Sequence, residues 1–127
     1  MSDPGELSRR IDAIERGYEY LLAYAAQGRQ NDAGSEARQT LQNMFGALDG
    51  LGDLLAAAVG AASKAGAADA AGFIEALRDD ARKARGAIGL VLGRPAISSL
   101  LVDNLNASIH LRALLTDVFL AEQALKS

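Results

Sequence analysis

Apolar residues return every three or four positions along most of this chain. In the first stretch Leu7, Ile11, Ile14, Tyr18, Leu21 and Ala25 step by 4, 3, 4, 3 and 4. Ala37, Leu41, Met44, Leu48, Leu51, Leu55, Ala58 and Ala62 continue in the same manner, and so do Ile74, Leu77, Ala81, Ala84, Ile88 and Val91. Such seams belong to helices packed at shallow left-handed angles. A strand would need period two, which nowhere persists.

Punctuation divides the pattern. Asp3 reads as an N-cap followed by Pro4 at the first helical position and Glu6 three residues after the cap. Gly28, Gly66 and Gly93 read as stops, Asn31-Asp32 and Asp69 as caps, and Pro95 as the start of a last helix. The division predicts helices over 4–27, 33–65, 69–92 and 95–126. Short joins between them favour antiparallel neighbours. The expectation is an all-α fold: one domain over 1–127, a four-helix up-down antiparallel bundle with long helices 2 and 4. Helix 2 contains Gly46, Gly50, Gly52 and Gly60, and Asp49-Gly50 is a turn dipeptide. The seam passes through them without a phase slip, which favours one continuous helix of about 50 Å, bent if anywhere near Gly50.

The last segment departs from an ordinary bundle helix. One seam comprises Ile97, Leu101, Leu111, Leu115, Val118 and Leu125. A second apolar line comprises Val102, Ile109, Ala113, Leu120 and Ala124, with Leu105 and Phe119 between the two. The apolar arc exceeds half the circumference, more than a corner helix needs. Either this helix is central in a monomer or its second line binds something. A contiguous wet apolar face is rare on soluble monomers, so a homodimer through that line is expected.

Composition adds exclusions. The 127 residues are 50% hydrophobic and 23% charged, enough apolar content for a core and against wholesale disorder. Few aromatics and many Ala and Leu support helix over sheet. Cysteine is absent, which removes disulfides, thiol nucleophiles and Cys-ligated metals. A net charge of −3 gives no broad footprint for nucleic acid. The longest uncharged run of apolar and small residues, Leu54 to Ser63, is too short for a bilayer, and no apolar segment near the N-terminus suggests a signal peptide. The expected setting is the cytoplasm, with neither nucleic acid nor membrane as partner.

Candidate chemistry is sparse. His110 is the single histidine, on a polar line with Ser99, Asp103, Asn106 and Asp117 that reads as a solvated helix face. One helix offers too few ligands for a common metal site, so no metal and no cofactor are expected. No nucleophile elbow, phosphate loop or other catalytic motif is present, and no catalytic residue is assigned. Arg78, Arg82, Lys83, Arg85 and Arg94 form a cationic patch, read first as complementing a helix C-terminus and otherwise as meeting an acidic or phosphate-bearing partner. Tyr18, Tyr20 and Tyr24 lie within one short stretch. Tyr20 and Tyr24 flank the seam, a place for a small molecule if there is one. Two functions lead, ahead of a third, an enzyme whose site carries no recognised motif. The first is a non-catalytic helical interaction or adaptor module, as a homodimer or with another protein. The alternative is a ligand-binding or sensory bundle whose pocket involves Tyr20, Tyr24 and His110.

Overall fold

In a computed structural model of the chain, residues 4–62 and 67–126 are described. They form six α-helices and no strand: α1 Pro4–Ala25, α2 Ala37–Leu48, α3 Leu51–Ala62, α4 Ala67–Leu92, α5 Ser99–Ala107 and α6 Ile109–Lys126. The protein is all-α, as the periodicity predicts. The caps and stops read at Asp3 and Gly66 lie outside the described residues.

The two long helices of the prediction are each divided. Within segment 33–65, of which 63–65 lie outside the described residues, the helix starts at Ala37 rather than at 33 and is divided into α2 and α3, which meet at 47° across Asp49 and Gly50. Gly50 has φ +72°, a left-handed conformation that costs a residue with a Cβ about 1–2 kcal/mol. The Asp49 N–H donates to the Gly46 carbonyl at 3.2 Å. Arg10 of α1 closes the break from outside. Its guanidinium donates to the carbonyls of Ala47, at 3.4 Å, and of Asp49. The expectation of continuity failed because the break is in phase with the seam. Leu48 and Leu51 stand three apart across it, and Leu41, Met44, Leu48, Leu51 and Leu55 are all buried. A two-residue turn that preserves spacing is silent in a periodicity argument.

Segment 95–126 is divided at one residue. Pro95 precedes the helix instead of opening it. Ser98 is the N-cap of α5, its hydroxyl accepting from the Leu101 N–H at 3.0 Å. Ser108 ends α5 with extended ψ 128°, its N–H donating to the Leu105 carbonyl at 3.0 Å, and α6 begins at the next residue. Asp69, read as a cap, lies inside α4. Asp32 caps no helix; its work is described below.

α1 packs chiefly on α2 and α5, and α4 on α6, α3 and α2, while α3 also reaches α6 and α1. The core runs through Ile14, Leu21, Leu41, Met44, Leu55, Leu77, Ile88, Leu111, Leu114 and Val118. Each such residue contributes about 1.5–3 kcal/mol by leaving water. α3 and α4 approach closely at Gly52, where a Cβ would collide with the Arg78 side chain and sit 3.1 Å from its Cα.

Candidate functional site

One end of the molecule is closed by a polar clasp between the α1–α2 connection (26–36) and the α4–α5 connection (93–98). Tyr24 is fully buried and its hydroxyl donates to the Ile97 carbonyl at 2.6 Å. Ser99 donates to the Tyr24 carbonyl at 2.7 Å and accepts from the Arg29 N–H at 2.8 Å, while its own N–H donates to the Arg29 carbonyl. Asp32 accepts from the Ile97 N–H at 2.9 Å and from Arg38 Nε at 3.2 Å. That backbone hydrogen bond, with Arg38, holds the Asp32 carboxyl below the usual carboxylate range. Arg38 goes on to donate to the carbonyls of Leu92 and Arg94, at 2.9 and 2.8 Å. The cation at the C-terminal end of α4 therefore comes from α2. The last turn of α4 has no basic residue of its own.

This clasp revises the reading of the polar line. Ser99 and Asn106 are buried, not solvated. Asn106 Nδ2 donates to the Leu21 carbonyl at 3.1 Å. Asp117 is half-buried, whereas Asp103 and His110 are exposed. Among the described residues no group of three or more His, Asp and Glu converges as a metal site.

The tyrosines have separate roles. Tyr24 stacks with Tyr20, ring centroids 6.2 Å apart, but it is enclosed and its hydroxyl is engaged by backbone. Tyr20 is half-buried; its hydroxyl accepts from the Glu36 N–H at 3.0 Å. It lines an open cleft of about 310 Å³ with Arg9, Asp12, Arg16, Thr40 and Asn43. His110 is not part of that lining.

The basic residues of α4 are mostly engaged. Arg78 pairs with Asp53 at 3.2 Å and with Glu75 at 3.0 Å, and Lys83 and Arg82 both pair with Asp79. Those two cations hold the Asp79 carboxyl below its ordinary range. Arg85 lies over the Phe45 ring, 3.8 Å from its centroid, and donates to the Phe45 carbonyl at 3.3 Å. One open cleft beside them, about 290 Å³ next to Gly50, is lined by Asp49 and Asp53 as well as Arg78, Arg82 and Arg85. Opposite charges on its walls cancel much of its pull on an anion.

The second apolar line is split by the turn at Ser108. Val102, on α5, is fully buried in the core. Ile109, seven residues later, is 73% exposed, and Leu120 is 59% exposed. On a continuous helix these positions would share a face; the break between α5 and α6 turns the later ones outward. Ala113 is half-buried and Ala124 exposed. Phe119, at 45% exposure, stands next to Leu120. α6 thus presents Ile109, Ala113, Leu120 and Ala124 along one line on the outside of the fold, while Leu111, Leu114, Leu115, Val118 and Ala121 face the interior.

Among the described residues no single helix is long and apolar enough to cross a membrane. α2 and α3 reach the length together but are bent at their junction. Compared with known protein families, with curated proteins and with solved structures, the chain matches none.

Proposed function

We propose that this chain is a non-catalytic interaction module of the cytoplasm that pairs with a second copy of itself through α6. In this reading the six helices make four arms, α1, α2 with α3, α4, and α5 with α6, in an up-down antiparallel bundle. The observation that carries it is the outward line of exposed Ile109, Leu120 and Ala124 with half-buried Ala113, flanked by Phe119. The order of sizes along that line fits a two-fold axis. Two α6 helices set antiparallel about a centre near Thr116 place Ile109 opposite the partner's Ala124, and Ala113 opposite the partner's Leu120. Each large side chain meets a small one, and the same contact recurs on both sides of the axis. Each Ile or Leu so covered contributes about 1.5–3 kcal/mol, which a few residues per chain can set against the entropy of association.

Size-exclusion chromatography with light scattering at tens of micromolar tests the reading. The wild-type chain is expected to run as a dimer, Ile109→Asp or Leu120→Glu as a monomer or aggregate, and Glu36→Lys as a dimer. A monomeric wild type would defeat it. The ligand reading is supported by one feature, the cleft beside Tyr20, with the guanidinium of Arg16 held to Asp12 at 2.9 Å on its wall. Tyr24 and His110 lie outside that wall.

A further inference from the structure

α6 meets its neighbours with carboxyl groups facing carboxyl groups. Asp117 of α6 is half-buried, and its Oδ2 is shielded from solvent with no conventional hydrogen-bond partner. The group facing it within hydrogen-bonding reach is the carboxyl of Asp80, half-buried on α4. Nearer the C-terminal end of α6, Glu122 faces Glu15 of α1 but is also paired with Lys126. Two ionised carboxylates at such a distance repel, whereas one shared proton turns the contact into a hydrogen bond.

We propose that α6 is a pH-sensitive element, held against α4 while the Asp80–Asp117 pair keeps a proton and loosened when both of its members ionise. The inference does not rest on dimerisation, since both carboxyls lie within one chain.

The surroundings of each pair decide which dominates. Asp117 draws no compensation from the cations of α4: Lys83 and Arg82 are engaged by Asp79, Arg78 by Asp53 and Glu75, and Arg85 by the ring and carbonyl of Phe45. On the other helices packed against α6, Asp53 of α3 is held by Arg78, and Asp103 of α5 is exposed. Of the remaining ionisable groups on α6, His110 and Arg112 are exposed near its start. Burial, then the facing Asp80, push the Asp117 carboxyl up to about 7. The Glu15 carboxyl is raised by burial and by Glu122, with Asp12 adding to the effect and Lys126 opposing it. Lys126 also lies 3.8 Å from Glu122, so this pair is partly neutralised and the response belongs to the Asp80–Asp117 pair. The direction follows from linkage. A carboxyl raised in the folded state gives its full stabilisation below the ordinary carboxylate range, and loses it as pH climbs through that range towards 7.

The test is a pH series on the full chain, carried in a His110→Gln background so that the one histidine does not contribute. Urea unfolding midpoints are expected to fall steadily from pH 5 to pH 7 and to level off above. Amide protection in α6 is expected to fall over the same interval more than protection in α1 or α2. Asp117→Asn, whose amide stands in for the protonated acid, is expected to remove most of the slope, and Asp80→Asn to do the same from the α4 side. The Asp117 carboxyl carbon, followed by NMR, is expected to titrate with a midpoint near 7. An Asp117 that titrates in the ordinary carboxylate range, or an Asp80→Asn or Asp117→Asn chain with the wild-type slope, would overturn the proposal.

Discussion

Tyr24 shows how one side chain can look like a binding residue and be a fastening. Its ring fills core space, and its hydroxyl reaches the Ile97 carbonyl, 73 residues away in sequence. Removing that hydroxyl leaves a buried carbonyl with one donor fewer. Tyr24→Phe is therefore expected to lower the unfolding free energy by about 1–2 kcal/mol, measured by urea titration. Tyr20→Phe, whose hydroxyl is half-buried and only accepts from the Glu36 N–H, is expected to cost less. A larger loss at Tyr20 than at Tyr24 would show that the clasp is misassigned. Sequence spacing could place both tyrosines beside the seam. It could not tell which of them reaches across to the 93–98 connection, because that contact joins segments with no common period. Ser99 and Asn106 were illegible for the same reason: a polar residue on a helix reads as solvated until its partner carbonyl is known.

At the scale of elements, the chain is helical as periodicity predicts, but six helices stand where four were expected; two turns divide the longest segments, and they differ in how far they could be foreseen. Asp49-Gly50 is a turn dipeptide in plain view, overruled by a seam that keeps its phase across the break. Ser108 carries no such mark; neither glycine nor proline lies beside it. Gly50 is required by its positive φ, so Gly50→Ala is expected to destabilise by about 1–2 kcal/mol. Gly46 is a useful contrast. It is helical, and a Cβ there would meet nothing within 4 Å, so Gly46→Ala is expected to stabilise by about 0.5–1 kcal/mol. Thermal or urea unfolding of the two variants side by side checks both signs. Equal effects would mean that the turn at Gly50 is not held in the left-handed region. The turn at Ser108 has the greater consequence for the surface, since it separates the buried Val102 from the exposed Ile109.

For the whole molecule, two sets of carboxyls act in opposite senses. Asp32, held below its usual range by the Ile97 N–H and Arg38, stabilises the clasp above that range and ceases to do so as pH falls and it takes a proton. Asp117 acts in the other direction, its contribution declining as pH rises towards 7. Folding stability is thus expected to peak in mildly acidic solution and to fall on both sides. Asp32→Asn should flatten the acid limb alone, and Asp117→Asn the neutral limb alone; urea midpoints across pH 3 to 8 distinguish them. If either variant changed the opposite limb, the two clusters would have to be coupled through the core. The association proposed through α6 is independent of this pH response, and the stripe variants Ile109→Asp and Leu120→Glu test it.

Helix, the absence of strand among the described residues, and most of the buried seam were contained in the amino-acid order, because an α-helix imposes its 3.6-residue period on whatever it buries. The excess of apolar surface on the last segment was contained there too. Its destination was not. Which part of that surface enters the core depends on a one-residue turn at Ser108, and the clasp depends on backbone carbonyls offered by a distant connection. The Asp80–Asp117 pair depends on the rotation of α6 against α4. Periodicity records what a residue's own helix needs. It carries no information on the azimuth at which two helices meet, and polar contacts across that meeting are set by the azimuth alone.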